Sequence, residues 1–200
     1  MNALIAVMSA YLLGGIPFGY LLVKWLRGRD IRSEGSGNIG ATNVLRTAGK
    51  GVGVTTLMLD VAKGYVAVKG TGLLTRDSVV WMSVAVLAVM LGHTFPVFLK
   101  FRGGKAVASC LGAFLCLAPV PLAAVVTVFV VTVGLSRYVS LGSILAAASL
   151  PVAVWIFSRP DWPVVLSAVS AAVLIIWRHK SNIERLRSGK EHVLSLGGRR

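Results

Sequence analysis

The chain has 200 residues, of which 56% are hydrophobic and only 14% charged, where soluble domains carry ~25% charged residues. With glycine included and tyrosine left out, the apolar share rises to roughly 65%, against ~45–50% in ordinary soluble proteins. One small core cannot hide that surplus, because a domain of this size leaves ~30% of its unfolded-chain surface exposed, and disorder is excluded because disordered chains are polar. The formal net charge of +14 would suit nucleic acid, but in a chain whose solvent is the bilayer, basic residues are first orientation signals.

The first apolar run extends from Ala3 to Leu26. It is far longer than a signal-peptide core, has no basic region before it, and carries its charges at and beyond its end, as Lys24, Arg27, Arg29 and Arg32. The expectation is an uncleaved first span that starts outside. Further runs fall near 52–70, 79–99, 107–133, 141–157 and 163–177, all expected as helices because a backbone in lipid must satisfy its own hydrogen bonds. The fourth is either one long kinked helix or two short ones broken at Pro119 and Pro121. Breaking it gives seven spans and places sixteen lysines and arginines inside (Arg27 to Lys50, Lys100 to Lys105, Arg137, and Arg178 to Arg200) against Arg76 and Arg159 outside. Leaving it whole gives nine against nine. The positive-inside rule favours seven, although a helix from Lys105 to Ala118 reaches only ~21 Å of a ~30 Å core. The expected fold is therefore all-α: a polytopic integral membrane protein with seven transmembrane helices, N-terminus outside and C-terminus cytoplasmic, one domain over 1–200. Trp25 and Trp177 fall at inner span ends, and Trp81, Trp155 and Trp162 at outer ones, as interfacial anchors do.

The outer loops are short, so chemistry is expected on the inner face, where three polar segments meet. The first is GSGNIGATNVLR, Gly35 to Arg46. Its glycines formally match G-x-G-x-x-G, yet Asp30 to Glu34 precede it instead of a buried strand, and it lacks the Gly-Lys-Ser/Thr of a P-loop. What remains is a phosphate cradle: converging backbone N–H groups from Gly37 and Asn38 onward, Ser36, Thr42 and Asn43 as added donors, and Arg46 as a bidentate cation. The plain alternative is a re-entrant turn. The second segment, KFRGGKAVAS, puts Gly103 and Gly104 before Lys105 at an expected helix N-terminus, which favours anions; a positive-inside loop with a glycine turn would look the same. The third, RHKSNIERLRSGKE, reads as helical, with His179, Asn182, Ile183 and Leu186 on one face.

Within the spans, Asp60 and Lys63 stand three apart and can pair on one helix face, either as a structural ion pair or as a substrate contact. His93, ahead of Thr94 and Pro96, either bonds a neighbouring helix or approaches the site. Cys110 and Cys116 read as packing residues, with no second pair or histidine cluster to suggest a metal or disulfide. No metal or other cofactor is expected, since the inner loops offer no carboxylate cluster.

At these segments the sequence resembles the bacterial acyl-phosphate:glycerol-3-phosphate acyltransferases, the PlsY family. The first block fits from Gly35 to Arg46, with Gly49 beyond; the second, Gly92 to Ser109, departs at Arg102, Ala106 and Ser109; the third fits from Arg178 to Glu191, with Lys180 as its departure. Asp60, Lys63 and Gly64 add to the likeness. The resemblance implies transfer of a fatty acyl group from acyl phosphate to the 1-hydroxyl of glycerol 3-phosphate, giving lysophosphatidic acid and inorganic phosphate, the first acylation of phospholipid synthesis. It implies a multi-pass enzyme of the bacterial cytoplasmic (inner) membrane, with its site on the cytoplasmic face and membrane lipids around it. Ser36 to Asn43 would hold the acyl phosphate. Arg46, Lys105 and the Gly103–Gly104 turn would hold glycerol phosphate, His179 and Asn182 would position the reacting groups, and Glu191 would support the fold.

The residue types suit that chemistry independently. Two phosphorylated substrates need several cations and N–H donors, and an acyl chain needs a slot between helices rich in small residues. No Ser-His-Asp set is apparent, so direct attack without an acyl-enzyme is expected, with the departing phosphate or His179 taking the proton. A lipid-phosphate transporter would want its site near the midplane, and a structural subunit docking anionic lipids by its basic tail would leave the glycine-rich blocks without purpose.

Overall fold

A computed structural model describes residues 2–158 and 161–194. Arg159, Arg199 and Arg200, which enter the charge tally above, lie outside the described residues. Every regular element among the described residues is helical. Among the described residues ten α-helices run in chain order: α1 (Asn2–Gly15), α2 (Phe18–Arg27), α3 (Ala41–Ala48), α4 (Lys50–Thr75), α5 (Val79–Thr94), α6 (Val107–Leu117), α7 (Pro119–Ser136), α8 (Val139–Phe157), α9 (Trp162–Arg178) and α10 (Lys180–Arg187). Five stretches among the described residues are long and apolar enough to cross a membrane: Asn2–Arg27, Lys50–Thr75, Val79–Leu99, Pro119–Ser136 and Val139–Phe157. The bent pair α9 and α10 makes a sixth. The chain divides into two compact units, Met1–Leu117 and Ala118–Arg200.

In the first unit the helices approach closely because glycine lets backbones touch. A side chain on Gly14 would run into the Val89 backbone, and one on Gly92 into the Tyr11 carbonyl, so α1 and α5 meet at glycines contributed by both. The same reciprocity joins α4 to α6, where Gly64 lies on Ser109 and Gly112 on the Val61 carbonyl. At 11 residues α6 is only about 16 Å long, so this backbone contact with α4, which extends about 39 Å, is what seats it.

One expected boundary is revised and another is borne out. The Ala3–Leu26 run is not one continuous helix: α1 stops at Gly15 and α2 starts at Phe18. Pro17 cannot donate to the ladder, and the residue before a proline is pushed out of helical space. The 107–133 run is two helices, with Ala118 in a non-helical conformation (φ −150°, ψ 69°) and Pro119 in the first turn of α7, where a missing N–H costs nothing.

In the second unit, α7 packs on α8, where Gly142 lies against Phe129 and Val133. Helix α8 in turn packs on α9, with Ala146, Ala153, Ala168 and Ala172 among the buried residues of that pair. Trp155 and Trp162 flank the α8–α9 connection, their ring centroids 5.6 Å apart. The chain after α10 folds back, and the Leu194 N–H donates to the Arg137 carbonyl at 2.8 Å.

Candidate active site

The Gly35–Arg46 loop is entered through a short 3₁₀ turn, Ile31–Ser33, capped by Asp30. The Arg32 side chain grips the Asp30 carboxylate (2.6 Å at the shortest), and this hydrogen bonding brings the Asp30 pKa down from 3.8 to about 2. A carboxylate depressed in this way stabilises the fold above its unfolded pKa and loses that contribution only as pH falls through about 2. The clamp therefore persists across any working pH.

Beyond it, Asn43 organises the loop. Its carboxamide Nδ2 donates to the carbonyls of Glu34 (3.0 Å) and Asn38 (2.9 Å), and its Oδ1 accepts from the Ser36 N–H (2.9 Å). Asn38 Oδ1 accepts from the Gly40 N–H at 2.8 Å, and the Gly37 N–H donates to Glu34 at 2.9 Å. Gly35 and Gly37 have φ of +57° and +69°, which glycine adopts without steric cost.

This bonding revises the expected cradle. Asn43 is buried and committed to the loop's own backbone, and the N–H groups of Ser36, Gly37 and Gly40 are likewise used within the loop. An anion would instead meet the hydroxyls of exposed Ser36 and half-buried Thr42, the first N–H groups of α3 and the exposed Arg46. Opening of a helix by Gly40 without a side-chain cap leaves those N–H groups outside the helical ladder.

The second segment follows α5. A 3₁₀ turn, Val97–Leu99, leads through Lys100 and Phe101, both at positive φ, into Gly103 and Gly104. The Gly103 N–H donates to the Thr94 carbonyl (3.1 Å) and the Gly104 N–H to the His93 carbonyl (3.0 Å). This strap lies so flat on the end of α5 that a side chain at Gly103 would strike the His93 carbonyl and Pro96, and one at Gly104 the His93 ring. Lys105 is half-buried and stands two residues before α6 begins.

Ala106 sits at φ +59°, a left-handed conformation that costs an L-residue about 1–2 kcal/mol. Ala106→Gly is therefore expected to raise stability by up to about 1 kcal/mol, read as a higher midpoint of thermal unfolding in detergent. One apolar cluster joins the two segments: Val23, Ile31, Ile39, Val44, Ala48 and Leu99, with Tyr20 and Val52 against it. The cluster packs the loop bearing Arg46 against Leu99, on the turn from which the chain runs into the strap bearing Lys105.

In the second unit, His179 is not on the face of a continuous helix, as the spacing had suggested. It occupies the corner where α9 and α10 meet at 56°. The residue is 2% exposed, and its Nδ1 lies 2.7 Å from the Ile175 carbonyl. A carbonyl can only accept, so Nδ1 carries a proton, and in the neutral ring the lone pair would then lie on Nε2. The acidic orienter that the sequence lacks is thus replaced by a backbone oxygen.

Asn182, one turn on and also buried, donates from Nδ2 to Glu191 Oε1 (3.0 Å), while Arg185 Nε donates to Glu191 Oε2 (2.9 Å). Both carboxylate oxygens of buried Glu191 thereby fix residues of α10. Asp60 and Lys63 form an ion pair at 2.7 Å with side chains 3% and 1% exposed. Among the described residues no group of histidines, cysteines and carboxylates could hold a metal ion. Cys110 and Cys116 are free thiols.

Long apolar helices, with the polar motifs confined to the segments at their ends, define an integral membrane protein with a candidate anion-handling site. The family model described as glycerol-3-phosphate acyltransferase matches residues 4–189. Curated relatives include the glycerol-3-phosphate acyltransferases of Desulforamulus reducens (46% identical, covering 96% of this chain and 94% of the relative) and Trichlorobacter lovleyi (49%, covering 92% and 94%). Among solved structures, the crystal structure of PlsY, an integral membrane glycerol 3-phosphate acyltransferase, in its glycerol 3-phosphate form aligns with a TM-score of 0.91 at 38% identity, covering 98% of this chain and 96% of the other. Its lysophosphatidic acid form aligns at 0.88 and 36%, with the same coverage. The chain belongs to the glycerol-3-phosphate acyltransferase family.

Proposed function

We propose that this protein transfers a fatty acyl group from acyl phosphate to the 1-hydroxyl of glycerol 3-phosphate, giving lysophosphatidic acid and inorganic phosphate, with no acyl-enzyme. The observation that carries the reading is the apolar cluster in which Leu99, on the turn that leads into the Gly103–Lys105 strap, packs with Ile39 and Val44 of the Gly35–Arg46 loop, a shared packing that supports two cationic segments serving phosphorylated reactants together. The recorded glycerol 3-phosphate and lysophosphatidic acid forms of PlsY support the acceptor and product.

In this reading the Ser36 and Thr42 hydroxyls and the N-terminus of α3 receive the acyl phosphate, while Arg46 and Lys105 hold the phosphate of glycerol 3-phosphate. Asn43 and Asn38 shape the loop. The hydroxyl oxygen attacks the acyl carbonyl carbon, the bond from that carbon to the bridging phosphate oxygen breaks, and its electron pair leaves with the phosphate. The hydroxyl proton ends on the phosphate, so no protein group changes its proton count over the cycle. Asn182, its carboxamide aimed by Glu191, orients the reacting groups. Fixed donors of this kind act where charge develops in the transition state.

The rival for the proton is His179, and one observation favours it: with Nδ1 held by the Ile175 carbonyl, Nε2 is the atom able to accept. His179→Gln is expected to lower kcat about 10²–10³-fold while preserving the shape of the pH–rate profile. Disappearance of a neutral-range pKa in that variant would make histidine the base.

Seven crossings, N-terminus outside and C-terminus cytoplasmic, in the bacterial inner membrane with the site on the cytoplasmic face, complete the proposal. They rest on the sidedness of the basic residues and on α6 serving as a short crossing against α4. Both units act as one acyltransferase domain over 1–200, surrounded by membrane lipids and requiring no cofactor or nucleic acid. The test is purified protein given palmitoyl phosphate and glycerol 3-phosphate. Lysophosphatidic acid and inorganic phosphate should form in equal amounts; product appearing only with a thioester donor would refute it.

A further inference from the structure

The membrane-buried charges of α4 do more than cancel each other. Lys63 Nζ, besides its 2.7 Å contact with Asp60 Oδ1, donates to the Ile16 carbonyl at 2.9 Å. That carbonyl lies at the interruption between α1 and α2, where Pro17 has removed a helical donor. On the other side of the carboxylate, His93 Nδ1 faces Asp60 Oδ1 at 3.7 Å. The opposite edge of the same ring lies against Gly104, where any side chain would overlap Nε2, and the His93 carbonyl receives the Gly104 N–H. One buried carboxylate thus sits between the helix break that leads toward the anion loop and the histidine on which the Lys105 strap lies.

We propose that Asp60 and His93 are positioning residues for glycerol 3-phosphate. Asp60, held by Lys63, fixes the His93 ring, and the ring fixes the height and direction of the Gly103–Gly104 strap that presents Lys105. This inference rests on the assignment of Lys105 to glycerol-phosphate binding. An ion pair serving stability alone would have no reason to face the ring beneath the strap. It would also affect both substrates and kcat alike when removed.

The test is a double-mutant cycle on steady-state kinetics with palmitoyl phosphate and glycerol 3-phosphate, using His93→Leu, Lys105→Ala and their combination, each first checked for folding by thermal unfolding in detergent. His93→Leu keeps the site filled while removing both ring nitrogens. It should raise KM for glycerol 3-phosphate about tenfold, with kcat and KM for the acyl phosphate within about threefold of the parent. In the Lys105→Ala background the further rise should be under about threefold, because contacts acting through one group are not additive.

Asp60→Asn alone leaves a buried cation without its partner and is prone to unfold. The paired variant Asp60→Asn with Lys63→Met removes both charges and should show the same selective rise in KM. Equal effects of His93→Leu in both backgrounds, or a fall in kcat with KM unchanged, overturns the positioning role while leaving Lys105 as a ligand. An unchanged KM in Lys105→Ala alone overturns the binding assignment, and the positioning role with it.

Discussion

Glu191→Ala is expected to destabilise the protein by about 1–3 kcal/mol, the cost of leaving hydrogen-bonding partners of a buried group unsatisfied, and to abolish turnover. The carboxylate side chain is 3% exposed, and its two oxygens hold Arg185 and Asn182 separately. Its loss strands a partly buried guanidinium and frees the Asn182 carboxamide to rotate. Asn182→Ala supplies the contrast. If Asn182 orients the reacting groups as proposed, the substitution removes that contact without orphaning a charge, so the midpoint of thermal unfolding should change little while kcat falls about 10²-fold or more. Glu191→Gln should lie between them, since an amide oxygen can still accept from Asn182 but carries no charge for Arg185.

The second large effect is expected at Arg46. Arg46→Ala should lower kcat/KM for glycerol 3-phosphate by roughly 30-fold to several thousand-fold, as truncating a charged partner of a bound phosphate costs about 2–5 kcal/mol. Arg46→Lys should recover only part of this, because an ammonium is a point charge and cannot make the planar two-bonded contact of a guanidinium. Arg46 is exposed and Asn43 buried, and the two should separate cleanly. Asn43→Ala removes the hydrogen bonds that knit Glu34, Ser36 and Asn38 together, and unsatisfied buried groups cost about 1–3 kcal/mol each. Its signature is therefore lower thermal stability and impaired use of both substrates, where Arg46→Ala impairs one.

Most helices were legible because lipid leaves the backbone few options and the apolar runs are long. The break at Pro17 was not, since a proline inside an apolar run is compatible with a continuous kinked span as well as with an interruption. The split at Pro119 was legible only through charge counting, as composition is uniformly apolar on both sides.

In the site, the residues of the three polar segments stood out by type, but their division of labour did not. Asn43 looks like any other donor in GATN until its carboxamide is seen facing three backbone groups of its own loop. His179 and Asn182 share a helical spacing, yet the chain bends at His179 itself. Its orienting partner is a main-chain carbonyl, which no side-chain pattern can reveal. The link from Glu191 back to Asn182 spans nine residues across a turn at Gly189, where φ is +69°. His93 carried no motif that tied it to Asp60, 33 positions earlier, because contacts between spans follow from helix packing and not from local periodicity.

If the three polar segments serve one reaction, amide hydrogen exchange of the full-length protein in detergent should slow in all three, 35–46, 100–109 and 178–191, when glycerol 3-phosphate is added. Protection confined to one of them, with the other two unchanged at saturating substrate, would contradict that shared role.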